Sequence, residues 1–125
     1  MKVSCGTDIT EITRIKDAIE REGQKFITEI YTENEIKYCE SKKNAKYQHY
    51  AARFAAKEAI YKAISSFLDN KFEVSWKNAE ILNTDSGKPY VVFHDVNFEE
   101  RIVNIDISLS HSKENAIANV TILYN

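Results

Sequence analysis

From about residue 45 to 67 the chain carries neither glycine nor proline, and the stretch AARFAAKEAIYKAI within it is made almost wholly of helix formers. The longest helix of the fold is expected here. At 125 residues the chain has the usual size of one folding unit, so a single domain covering residues 1–125 is expected around that helix.

The flanking patterns supply the other elements. Residues 2 to 9 look like a short strand running into TEITRIKDAIEREG, where Ile12, Ile15 and Ile19 recur at helical spacing before Gly23 offers a stop. Thr32 followed by Glu35 has capping-box spacing and predicts a short helix to about Lys42, followed by a solvated connection, SKKNAK. Residues 72 to 82 and 90 to 93 read as strands joined into a hairpin by NTDSGKP, with a short helix around 96 to 101. Val103, Ile105, Ile107 and Leu109 then alternate with polar residues, and after HSKEN the residues Ala116, Ala118, Val120 and Ile122 mark a last strand. The order of elements predicts an α+β fold, with helices packed on one face of a mainly antiparallel sheet.

Charge and thiol content remove several classes of function. Seventeen Lys and Arg against nineteen Asp and Glu leave a net charge of -2, which lacks the drive for coating nucleic acid. Cys5 and Cys39 form no disulfide framework, and with His49, His94 and His111 they show no zinc spacing. A reducing cytoplasm fits such a chain, and no apolar run suits a secretion signal or membrane span.

On the long helix Phe54, Glu58 and Lys62 fall at i, i+4, i+8, and Arg53 with Lys57 makes a second pair, so one carboxylate has three cations near it. The plain expectation for such a pattern is a solvent-exposed face with weak ion pairs. Asp8, in GTDIT at the end of the first strand, is by itself best read as a helix N-cap. Two carboxylates from separate elements beside cations would also suit magnesium and phosphate, since that ion takes hard oxygen ligands. SGKP, residues 86 to 89, reads as a hairpin turn whose amides and lysine could meet an anion. In SLSHS, Ser110 and His111 are strand neighbours facing opposite ways, which fits a phosphate-contacting histidine better than a serine hydrolase. Arg14 and Arg21 lie nearly opposite the isoleucine stripe of the first helix, with Asp17 between them, and make a mixed docking face.

Read in order, GTDITEITR, RFAAKEAIYKA, SGKP and ISLSHSKENAIA resemble the holo-acyl-carrier-protein synthases, small phosphopantetheinyl transferases of bacterial fatty-acid synthesis. The resemblance implies transfer of 4'-phosphopantetheine from coenzyme A to a serine of apo-acyl carrier protein, with release of 3',5'-ADP. It implies magnesium on Asp8 and Glu58, pyrophosphate of coenzyme A at Lys62, and phosphate or nucleotide contacts at Arg53, Gly87, Lys88, Pro89, Ser110 and His111. It further implies a homotrimer with coenzyme A across each junction between chains, and acyl carrier protein docking at Arg14; Arg21 is added by helix geometry. Two departures from the family pattern stand out. No glycine follows Lys62 in AISSFLDNKF, and threonine replaces the usual aliphatic residue before Asp8. The alternatives are a noncatalytic coenzyme A or nucleotide-binding module and a carrier-domain adaptor.

Overall fold

The computed structural model describes residues 1–68 and 74–125. Its elements are β1 (Lys2–Glu11), α1 (Ile12–Glu22), α2 (Gln24–Ile30), α3 (Glu33–Glu40), α4 (Lys46–Ile64), β2 (Ala79–Asn83), β3 (Pro89–Phe93), β4 (Ile102–His111) and β5 (Asn115–Tyr124). Single 3-10 turns occupy Lys43–Ala45, Trp76–Asn78 and Glu99–Arg101. One antiparallel sheet has the order β1-β5-β4, and β2 with β3 forms a separate hairpin.

Helix α4 lies across the inner face of the larger sheet. The alternation foreseen in β5 is realised, with Ala116, Ala118, Val120 and Ile122 all inward and fully buried. Gly6 of β1 lets strand and helix touch, because a Cβ there would overlap the Ala59 carbonyl. One step earlier on the same face, the Ser4 hydroxyl donates to the Ala63 carbonyl at 2.8 Å. The small side chains of Ala55, Ala56, Ala59 and Ala63 make this approach possible at no rotamer cost.

The expected solvent-exposed face of α4 does not exist in that form. From Tyr50 to Ile64 every residue is buried except Glu58, Tyr61 and Lys62, because the sheet, α1, α3 and β2 enclose the helix. Arg53 and Lys57 are therefore inside the protein. Lys57 does not serve Glu58; it pairs with Glu35 of α3 at 2.9 Å and donates to the carbonyls of Trp76 and Ala79 at 3.0 and 2.6 Å. The second oxygen of Glu35 accepts from the Ile81 amide at 2.9 Å, so one carboxylate ties α3, α4 and β2 together.

In α1 the buried residues are Ile12, Ile15, Ala18 and Ile19, and Gly23 closes the helix at φ 62. The capping box at α3 forms in both directions, through Thr32 Oγ1 and Glu35 Oε1. Helix α2 falls where no element was expected, and α3 ends at Glu40 rather than near Lys42. The first hairpin strand begins at Ala79, since Trp76–Asn78 is a 3-10 turn; residues 72 and 73 of the expected strand lie outside the described residues. The helix expected at 96 to 101 is reduced to one 3-10 turn. A register shift between Ile102 and Asn104 turns Val103 outward, so the inward alternation of β4 holds only beyond it.

Candidate functional site

Asp8 sits on β1, two residues beyond Gly6 and on the same side of the strand. Its Oδ2 accepts from the Thr10 hydroxyl at 2.7 Å, and its Oδ1 lies 3.2 Å from the Lys62 ammonium. Lys62 also donates to the Thr7 carbonyl at 3.0 Å. The N-cap expected of Asp8 is not formed: the strand continues to Glu11, paired with Asn115, and Glu11 takes the cap position of α1 with no side-chain bond. Glu58 precedes Lys62 by one helical turn on the same face and is half-buried. Since Ser4 meets Ala63 and Gly6 meets Ala59, each inward step of β1 moves one turn toward the start of α4. Asp8 meets α4 through Lys62, the residue one helical turn after Glu58.

The chemistry of this pair fits a hard divalent cation. Both candidate donors are carboxylates, the hard oxygen ligands such an ion takes, and Asp8 Oδ1 is paired with the Lys62 ammonium. No cluster of three or more His, Cys, Asp or Glu suited to a metal occurs among the described residues, so substrate or water oxygens would complete any shell.

A second cluster surrounds Arg53. The residue is 2% exposed, its guanidinium lies 4.1 Å from the centroid of the Tyr38 ring, and Nη2 donates to Asn83 Oδ1. Its buried Nε has no partner, and among the described residues no carboxylate pairs with it. A buried cation left without a counter-charge is a costly feature that an anionic ligand would relieve. Asn83 reaches from Arg53 to the SGKP turn, donating to the Gly87 carbonyl at 3.1 Å. Gly87 has φ 92, which favours glycine, and its amide donates to the Thr84 carbonyl at 2.8 Å.

On the other side of Arg53, Tyr38 contacts His49 with ring centroids 5.5 Å apart, and His49 faces His111 at 6.4 Å. Burial, followed by the charges of Arg53 and Lys42 and the His111 ring, pushes the His49 pKa down to about 4. Arg53 is thus linked through Asn83 to Gly87 and, through the Tyr38 and His49 rings in succession, to His111. Lys88 turns toward Asp106 at 3.7 Å, Pro89 opens β3, and Ser110 is exposed one strand position before His111.

The two clusters occupy opposite sides of α4. Nine residues separate Arg53 from Lys62, about 13 Å along the axis and half a turn around it. On the outer side of the fold, Arg14 and Arg21 are exposed on α1 as expected. Arg14 does not simply point away: its guanidinium lies 5.6 Å from the Phe54 centroid, and Phe54 stacks on Trp76 at 5.0 Å. Arg21 is 3.8 Å from Glu22. The sequence reading missed Thr10, Tyr38, His49 and Asn83. Only Thr10 had a local signal, its i+2 position beside Asp8; the others meet through tertiary packing.

Comparison with known proteins gives a consistent result. The family model described as the 4'-phosphopantetheinyl transferase superfamily matches residues 4–120. A holo-[acyl-carrier-protein] synthase of Ruminiclostridium cellulolyticum is 45% identical, with 94% of this chain and 90% of the relative covered. Among solved structures, a holo-(acyl-carrier-protein) synthase of Bacillus anthracis in complex with CoA (3',5'-ADP) is 35% identical, with a TM-score of 0.78 over 98% of this chain and 96% of the other. The Helicobacter pylori holo-[acyl-carrier-protein] synthase in complex with coenzyme A is 28% identical, with a TM-score of 0.81 over 95% and 99%.

Proposed function

The chain belongs to the 4'-phosphopantetheinyl transferase superfamily and transfers 4'-phosphopantetheine from coenzyme A to a serine of apo-acyl carrier protein; we propose that Asp8, Glu58 and Lys62 carry the chemistry. The carrying observation is the Asp8 carboxylate fixed between Thr10 and Lys62, with Glu58 one turn away on the same helix face.

Asp8 and Glu58 would hold magnesium, which, when bound, supplies positive charge to the pyrophosphate of coenzyme A. The serine oxygen of the carrier forms a bond to the phosphorus that bears pantetheine. The bond from that phosphorus to the bridging oxygen breaks, and the electron pair leaves with 3',5'-ADP. Glu58 receives the serine proton, and Lys62 stabilises the negative charge that grows on the leaving oxygen. The enzyme contributes no nucleophile of its own. Alignment and charge dominate, as in other phosphoryl transfers.

Arg53, Gly87, Lys88, Pro89, Ser110 and His111 are read as the part that holds the nucleotide and phosphates of coenzyme A. One coenzyme A is read as bridging the Arg53 side of one chain and the Lys62 side of another, as the family resemblance implies; the two residues facing opposite sides of α4 supports that reading. A homotrimer with sites at its junctions meets that requirement. Val3 and Ile9 of β1 and Ile117 of β5 support it, because they leave apolar surface 63%, 62% and 40% exposed on the outer face of the sheet. Arg14, with Arg21, is the docking side for the acidic carrier. The unpaired Cys5 and Cys39 suit a reducing, cytoplasmic setting, and among the described residues no helix is long and apolar enough to cross a membrane.

The test is incubation of apo-carrier protein with coenzyme A and magnesium, followed by intact-mass measurement. A gain of one phosphopantetheine only when the chain is present is the expected result. Binding of coenzyme A with no change in carrier mass would overturn the assignment.

A further inference from the structure

We infer that Asn83 is a positioning residue that joins Arg53 and the Gly87 turn into one rigid receptor for the phosphates of coenzyme A. The inference rests on the reading that Arg53 and Gly87 meet coenzyme A, and it assigns a role to a residue outside that set.

The partners of Asn83 fix its orientation. A guanidinium can only donate and a peptide carbonyl can only accept, so the amide oxygen must face Arg53 and the amide nitrogen must face Gly87. An amide side chain offers an acceptor and a donor side by side without charge, which suits a residue set between a guanidinium and a carbonyl. Asn83 also stands at the junction that matters, as the last residue of β2 and the partner of Pro89 across the hairpin. It therefore transmits the position of α4 to the turn that follows it.

Neutrality is part of the design. Arg53 is held from one side by the Tyr38 ring and from the other by the Asn83 oxygen, neither of which carries a negative charge. The guanidinium is oriented yet its charge remains uncancelled, and its Nε is still unpartnered. A carboxylate at position 83 would orient Arg53 equally well, but it would neutralise the cation and repel the Gly87 carbonyl. Both effects would be felt by an arriving phosphate.

Asn83→Ala removes both bonds, and Asn83→Asp keeps the shape while cancelling the charge. Each is expected to raise KM for coenzyme A by roughly tenfold, with kcat falling by less than about threefold and KM for the carrier unmoved. Calorimetric titration with 3',5'-ADP should show the same loss in affinity. In an Arg53→Met background, Asn83→Ala should add less than about twofold, because the two residues act through one contact. Should Asn83→Ala fail to fold, Asn83→Asp preserves the volume and carries the test.

If Arg53→Met weakens coenzyme A while both Asn83 variants bind it as the parent does, the inference about Asn83 is wrong and the reading of Arg53 stands. Fully additive losses would likewise separate Asn83 from Arg53 and overturn the inference. Parent-like coenzyme A binding by Arg53→Met would overturn the reading of the site itself, and the role of Asn83 with it.

Discussion

The ammonium of Lys57 meets the carboxylate of Glu35 at 2.9 Å, with both side chains wholly closed off from solvent. Burial pushes the Lys57 pKa down, and the adjacent Glu35 opposes that shift. The pair fastens three elements, because Lys57 also caps the Trp76 and Ala79 carbonyls while Glu35 takes the Thr32 and Ile81 amides.

Lys57→Met leaves the buried Glu35 without its counter-charge, with only the Thr32 and Ile81 amides, and it should cost about 3–5 kcal/mol. Urea denaturation measures this directly. Adding Glu35→Gln should cost less than the sum of the single changes, since the first substitution already breaks the pair. A Lys57→Met protein with the parent's urea midpoint would show that the contact contributes nothing.

Gly6→Ala forces β1 away from the Ala59 carbonyl. Overpacking at such a contact should cost about 1–3 kcal/mol. Asp8, two residues along the same strand face, would move with it, so transfer activity should fall more than the loss of stability explains. Thermal melts and turnover on the same preparation separate the two effects.

Asp8→Asn and Glu58→Gln should each lower turnover by about a hundredfold or more, with weakened magnesium dependence and melting temperatures within a few degrees of the parent. A radioactive coenzyme A transfer assay reads the loss. Full turnover by either variant would contradict the assigned chemistry.

Arg14→Glu should raise KM for the carrier by about tenfold and leave KM for coenzyme A nearly unchanged, because charge reversal opposes an acidic partner. The effect should shrink as salt is added. An equal change in both constants would remove Arg14 from docking.

His49 titrates at about 4 in the folded chain against 6.5 for the free side chain. Between these values the unfolded chain binds more protons, so stability rises with pH over this window and is lost as pH falls from 6.5 toward 4. After allowance for the ring's partial exposure, the change should be about 1–2 kcal/mol. His49→Gln should flatten that part of a stability-pH curve recorded by urea unfolding. An unchanged slope would place the proton uptake elsewhere.

Periodicity alone exposed most of the fold. The isoleucines of α1, the Thr32-Glu35 box and the alternation of β5 each encode their element locally, and all three formed as written. The bulge at Val103 was not legible, since it depends on pairing with β5, and the onset of β2 at Ala79 was missed although Ser75 and Asn78 form a local box around the turn before it. The same distinction runs through the site. Asp8, Glu58 and Lys62 could be marked from short-range pattern and resemblance, but nothing local indicated that Arg53 and Lys57 would be internal. Their burial follows from elements that close around α4 from distant parts of the chain. Asn83 gave no signal, because its meaning arises only when Arg53 and Gly87 lie on either side of it.

Between Tyr50 and Ile64, water reaches α4 at little more than Glu58, Tyr61 and Lys62. A saturating mutational scan of this stretch should therefore sort sharply. Changes at Glu58 and Lys62 should yield proteins that accumulate normally yet do no work, whereas changes at almost every other position should first reduce the amount of protein that survives in the cell. The helix would thus confine tolerance for chemical novelty to one narrow strip, leaving the rest of its circumference answerable to the core.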